Sequence, residues 1–214
     1  MNIDQAIEER LNEIKQDKIS GAAVLIIKAI EVLTFFTTHY QNPSCEKFLS
    51  DLYSLALKLI QTQPSMAPFY NLVHLITLET EKSQNLDAAK QRVIETAARF
   101  QQEQENSAYK IAHHASKLLK DGQIVLTHSF SSTVARALTQ TRDDGKKITI
   151  YCTESRPKRE GQKMALSLLN EGLEVKLITD SAAFSLLQSK TIDHVLCGGD
   201  SLFEQGLVNK IGTL

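Results

Sequence analysis

The sequence predicts an α/β protein in two parts: an N-terminal helical domain, residues 1–119, and a parallel-sheet domain, residues 120–214. Three observations predict this. Glycine is absent from residue 22 to residue 121 and recurs eight times after that stretch. Glycine is costly inside helices and useful at tight turns, so the first part is expected to be helical and the second rich in turns. Apolar residues in the first part recur at three- and four-residue steps. In the second part short β-rich runs alternate with helical ones, and their starts recur every 20 to 27 residues. That is β-α spacing, and it implies parallel strands joined by right-handed crossovers.

The elements follow in order. Ile3, Ala6, Ile7, Leu11 and Ile14 mark a first helix. A second is expected from Gly21 to Thr37. Asn42-Pro43-Ser44 breaks the chain, and Ser44 can cap a third helix through Ile60. Pro64 and Pro68 punctuate the connection to a fourth, through Leu78. Asp87 is expected to cap a long helix reaching Leu119, with Ala88, Val93, Ala97, Ala98, Phe100, Ala108 and Ile111 facing the core. Strands are expected at 123–129, 147–153, 174–180 and 194–199. Asp121-Gly122, Asp144-Gly145 and Glu171-Gly172 turn the chain into the first three. The helices between them are expected at 131–141, from Lys158 to Asn170 and from Ala182 to Ser189.

Composition excludes several classes. A chain of 214 residues needs no disulfide or metal to hold a core. Twenty-four basic against 25 acidic residues give no electrostatic reason to expect nucleic acid. Cys45, Cys152 and Cys197 form no CxxC pair, which argues against a disulfide framework or a cysteine zinc site. Cys152 and Cys197 are expected to be small buried hydrophobes. The histidines other than His128 lack metal spacing, so neither metal nor cofactor is expected. The densest apolar run, Ala22 to Ile30, contains Lys28 and is short for a membrane span, and the N-terminus lacks a signal-peptide pattern. A cytoplasmic protein without membrane contact is expected.

Chemistry in such a sheet gathers at the carboxyl ends of the strands. The first strand ends Thr127-His128-Ser129-Phe130-Ser131-Ser132 directly before a helix, where free N–H groups and the dipole favour an anion. The second ends Thr153-Glu154-Ser155-Arg156-Pro157, and Arg156 offers a planar fork suited to phosphate. The third ends Thr179-Asp180-Ser181. The fourth ends Gly198-Gly199-Asp200, where glycine lets a ligand approach the backbone, and Asn209-Lys210 add an amide and a cation. Ser131, Ser132, Ser181 and Asp180 are each open to a simpler role as helix caps, and Arg156 to one as an ion-pair partner. Clustered on one rim, they point to a phosphate-bearing ligand. Neither a P-loop nor a GxGxxG fingerprint is present.

LTHSFSSTV, YCTESRPKREGQKMA, LITDSAA and CGGDSLFEQGLVNKIGT, with their spacing, resemble the family of the alpha, beta and delta regulatory subunits of eukaryotic translation initiation factor 2B. That family includes archaeal homologues and two isomerases, of ribose 1,5-bisphosphate and of methylthioribose 1-phosphate. The match is strong over residues 120–214; the helical part matches in layout and in Ser20-Gly21-Ala22. The resemblance implies a Rossmann-like second domain and a pocket for a sugar phosphate or nucleoside monophosphate. It implies ligand contacts from Gly21, Ala22, Thr127, His128, Ser129, Ser131, Ser132, Arg156, Asp180, Asn209 and Lys210. Asp200 matches the catalytic aspartate of the isomerases. Ser129 stands where they carry a catalytic cysteine, and Ser20 where they carry a phosphate-binding arginine.

An unassisted serine hydroxyl does not titrate near neutrality as a thiol can. The two replacements therefore point to a non-catalytic regulatory subunit acting through protein contacts. The alternative is an aldose–ketose isomerase of a phosphorylated ribose. Partners implied are a second copy, a related subunit and, in a cell that has it, initiation factor 2. Family members usually continue well past the NKIGT segment, so the sheet domain is expected to be incomplete. With strand order 3-2-1-4, the fourth strand then lies at a border, with Val195 and Leu196 buried and an edge open to association.

Overall fold

In the computed structural model, residues 3–17, 19–209 and 213 are described. The chain divides into two compact units: Met1–Gln104 with Asp200–Leu202, and Glu105–Gly199 with Phe203–Leu214. The division falls within one long helix, so the end of that helix at Leu118 and the limit of compact packing are separate features.

The first unit is helical. It holds α1 (Ile3–Gln16), α2 (Ala22–His39), α3 (Cys45–Thr62), α4 (Ala67–Thr80) and the start of α5 (Leu86–Leu118). Ala6, Ile7, Leu11 and Ile14 are buried along α1, as their spacing predicts. Ser44 caps α3, its side chain accepting from the Lys47 N–H at 3.2 Å. Phe48, Phe69, Leu25, Leu33, Leu52, Leu59 and Leu72 fill the core. The 18 residues of α2 are long and apolar enough to cross a membrane by composition alone. Their buried face, including Leu25, Ile26, Ala29, Leu33 and Phe36, lies in this core instead.

The start of α5 differs from expectation. Asn85 rather than Asp87 is the cap: its side chain accepts from Ala88 N–H at 2.9 Å and its carbonyl from Ala89 N–H. Asp87 sits in the first turn, where its charge favours the helix dipole. The buried stripe runs Ala89, Val93, Ala97, Phe100 and resumes at Ala112. Ala88, Ala98, Ala108 and Ile111 are not core residues. Ala88 and Ala98 are one residue out of phase with that stripe, and residues 101–107 are exposed all round, so no core exists there to receive a side chain.

The second unit carries a parallel sheet in the order β3-β2-β1-β4, as expected. The strands are β1 (Ile124–His128), β2 (Thr149–Thr153), β3 (Glu174–Ile178) and β4 (His194–Cys197). α6 (Ser132–Asp143), α7 (Glu160–Asn170) and α8 (Asp180–Gln188) connect them. The core packs Val125, Ile150 and Cys152 against Val134, Leu138, Met164 and Leu168 of α6 and α7. Burial pushes the Cys152 thiol up to about 12. Cys197 is only half-buried, because it lies on β4 at the border.

Val195 and Leu196 correct the expectation of a strand buried on both faces. Val195 is 52% exposed and Leu196 partly so, and α8 has no buried residue. The sheet is thus packed on the α6–α7 side and thinly covered elsewhere. No strand among the described residues pairs with the outer edge of β4. Two short strands escaped the sequence reading: β5 (Ser201–Phe203) pairs with β6 (Gly206–Val208).

Candidate functional site

Two serines in the left-handed backbone region organise the rim. Ser129 (φ 65°) follows β1, and Ser155 (φ 61°) stands two residues after β2. Such conformations cost about 1–3 kcal/mol each at non-glycine residues, so they persist only where the surroundings hold them. Here they hold each other: the Ser129 N–H donates to Ser155 Oγ at 2.7 Å. Asp180, first residue of α8, holds the second serine. Its carboxylate accepts from the Ser155 N–H at 2.7 Å and the Arg156 N–H at 2.8 Å. Burial pushes the Asp180 carboxyl up, but these two N–H groups and the neighbouring His128 outweigh it, and the carboxyl lies below its ordinary range.

The buried polar cluster continues through His128. Its Nδ1 lies 2.7 Å from Thr153 Oγ1, and Thr153 Oγ1 lies 3.1 Å from Ser155 Oγ. α7 starts close above. A Cβ added at Gly161 would fall inside the Thr153 carbonyl oxygen and within 2.8 Å of Ser155 Oγ. Glycine is required there by backbone contact. α7 begins at Glu160, after left-handed Arg159, two residues later than expected.

The Ser129 hydroxyl stands apart. Ser129 is 2% exposed, and its Oγ is buried with no hydrogen-bond partner among the described residues. An unsatisfied buried hydroxyl costs about 1–3 kcal/mol.

The other expected residues are placed as follows. Thr127 and His128 are buried at the end of β1. Ser131 is the α6 cap and accepts from Val134 N–H at 3.3 Å; Ser132 is the exposed first residue of α6. Arg156 is exposed, and its Nε donates to Glu154 Oε1 at 2.8 Å. Asn209 donates to Thr213 Oγ1 at 3.1 Å. Lys210 lies outside the described residues. Gly21, Ala22 and Asp200 belong to the helical unit. Gly21 is the α2 cap, with open space where a side chain would point. Ser201 next to Asp200 donates to the Ser65 carbonyl at 2.9 Å and accepts from Ala67 N–H at 3.0 Å, fixing that stretch to the loop before α4.

Gly198 and Gly199 answer to the chain itself. A Cβ at Gly198 would meet Ser131 Cβ at 2.9 Å, and one at Gly199 would meet Leu207 Cδ1 at 2.5 Å. A groove of about 280 Å³ opens beside Gly198, lined by Ile111, Ala115, Val134, Leu196 and Cys197. The sequence reading did not single out Thr153, Ser155 and Gly161 as site residues. Their one signal was a Thr-x-Ser at a strand end followed by a glycine early in the next helix.

Over this fold and rim, residues 18–214 match the sequence pattern of the initiation factor 2 subunit family. The chain belongs to that family. Among its relatives is the ribose 1,5-bisphosphate isomerase of Archaeoglobus fulgidus, 31% identical over 210 residues, covering 98% of this chain and 65% of that protein. An eIF-2B subunit 2-like protein of Pyrococcus abyssi is 32% identical over 206 residues, covering 96% of this chain and 70% of the relative. The crystal structure of the Pyrococcus horikoshii translation initiation factor eIF-2B superposes with a TM-score of 0.86 at 27% identity, over 97% of this chain and 71% of that one. The relatives thus carry the names of sugar-phosphate isomerases and of initiation-factor subunit-like proteins, and this chain spans about two thirds of their length.

Proposed function

We propose that the protein binds a phosphorylated ribose at the carboxyl ends of β1, β2 and β4, in a site of the aldose–ketose isomerase type. The Ser129 hydroxyl carries this reading: it is buried, lacks a partner and lies just before α6. A ligand oxygen supplies the missing hydrogen bond. Helix geometry leaves the N–H groups of Ser132 and Thr133 without intrahelical acceptors, which favours an anion beside it. Arg156 keeps donors beyond the one given to Glu154. Lys210 and Asn209 join the ligand set through the family resemblance.

Of the two functions expected from the sequence, the relatives favour the isomerase, since the A. fulgidus protein bearing that name aligns with 98% of this chain. In this reading Asp200, by its match to the family's catalytic aspartate alone, would carry the proton between adjacent sugar carbons, and Ser129 would bond the substrate oxygen. One observation favours the regulatory reading instead: among the described residues no base lies within hydrogen-bond distance of Ser129 Oγ to take its proton. A regulatory member binds the same ligand without turnover and acts in the cytoplasm on a second copy, a related subunit or initiation factor 2.

The test is thermal unfolding and a product assay with ribose 1,5-bisphosphate. At about 100 times its Kd the ligand is expected to add about 2.7 kcal/mol, most of it lost in Arg156→Ala. Ketose product that disappears in Asp200→Asn supports the isomerase. Stabilisation without product supports the regulatory subunit. No stabilisation by ribose 1,5-bisphosphate or nucleoside monophosphates at millimolar concentration rejects both.

A further inference from the structure

We propose that Asp180 and Ser155 are positioning residues, which together hold the Ser129 turn in the geometry that its site uses. Asp180 was expected among the ligand contacts. Its two carboxylate oxygens are instead engaged by the N–H groups of Ser155 and Arg156, at 2.7 and 2.8 Å. A carboxylate is also a poor neighbour for a phosphate, since the two repel. The acceptors are well placed for another task. They pin the peptide groups on both sides of Ser155, just where that residue takes its left-handed conformation.

Ser155 passes the constraint across the sheet. Its Oγ accepts the Ser129 N–H at 2.7 Å, so the end of β2 fixes the end of β1. The same oxygen is 3.1 Å from Thr153 Oγ1 and 3.4 Å from His128 Nδ1, which leaves its hydroxyl little freedom to rotate away. Gly161 closes the third side, because any side chain there would displace the Thr153 carbonyl and Ser155 Oγ. The chain of contacts runs from α8 through the end of β2 to the end of β1, and its last member is the residue whose hydroxyl is buried and unpaired. Supporting groups of this kind keep a functional side chain in place without touching the ligand.

The functional meaning of this proposal rests on the reading of Ser129 as a ligand contact; the relay itself does not. Two measurements separate them. The first is amide exchange of the ligand-free protein. Asp180→Ala, which leaves the Ser155 hydroxyl that accepts the Ser129 N–H in place, is expected to speed exchange of that N–H by at least about tenfold, with Val125 and Leu126 unchanged. Ser155→Ala is expected to do the same. Asp180→Asn keeps one accepting oxygen and is expected to fall between, and it decides the matter if the alanine variant does not fold. The second is the Kd for ribose 1,5-bisphosphate, expected to rise about tenfold in Asp180→Asn. Unchanged Ser129 exchange in the folded Asp180 and Ser155 variants overturns the relay. Faster exchange in a protein whose wild type does not bind ribose 1,5-bisphosphate upholds the relay and rejects the ligand reading alone. Faster exchange with an unaltered Kd overturns the positioning role.

Discussion

α2 and α8 show how differently the two units are built. α2 buries Leu25, Ile26, Ala29, Ile30, Val32, Leu33, Phe36 and Thr37. α8 buries no residue, and its Phe184 is 70% exposed. The helical unit holds itself together by packing around one core. The sheet unit packs one side well and depends on polar contacts at its strand ends, where Asp180 is held by hydrogen bonds rather than by burial. Apolar packing and polar contacts are thus concentrated in different places.

The contrast breaks if substitutions in the two units cost the same. Phe69→Ala in the helical core is expected to cost about 3–5 kcal/mol, read as a shift in denaturation midpoint. The next largest effect belongs to the strand ends. Gly161→Ala is expected to cost about 1–3 kcal/mol, because the new methyl meets backbone that cannot easily move. Gly21→Ala, with open space beside it, is the control and is expected to stay within about 0.5 kcal/mol.

A third test concerns acid. Burial pushes the Asp17 carboxyl up, but the Lys28 ammonium at 2.7 Å and the N–H groups of Ser20 and Ile19 hold it far below its ordinary range. A depressed carboxyl contributes stability that is fully present above about pH 4 and is lost as pH falls through its folded value. Asp17→Asn is expected to cost about 1–2 kcal/mol at neutral pH and to flatten the fall of stability below pH 4. Phe184→Ser is expected to have the smallest effect, within about 0.5 kcal/mol in the isolated chain. A larger loss, or one that appears only with rising protein concentration, would show that a second molecule covers α8.

Much of this organisation was legible in the sequence because it depends on short-range chemistry. Spacing located α1, and a serine before a helical run located the cap of α3. The glycine turns and β-rich runs located the strands, and chirality together with the family resemblance suggested their order. What escaped depends on neighbours distant in the chain. Asn85 and Asp87 are both good caps, and only the fold selects between them. Asp180 looks like a cap or a ligand until Ser155 and Arg156 are brought against it from 25 and 24 residues away. Gly161 and Gly198 look like ordinary turn or ligand-contact glycines, but each is required by an atom of the chain itself. Burial of Val195 and Leu196 was expected from strand habit, which presumes layers on both faces of a sheet.

The placement of Cys152 and Cys45 has a practical consequence. Cys152 is sealed inside the sheet core and its thiol is held protonated, so an alkylating reagent reaches it only when that core opens. Cys45 stands at the start of α3 in the other unit, half in contact with solvent. The wild-type chain therefore carries its own pair of clocks. Peptides carrying each thiol, followed by mass spectrometry during a brief labelling pulse, time the opening of the sheet unit against a thiol in the helical one, with no residue altered.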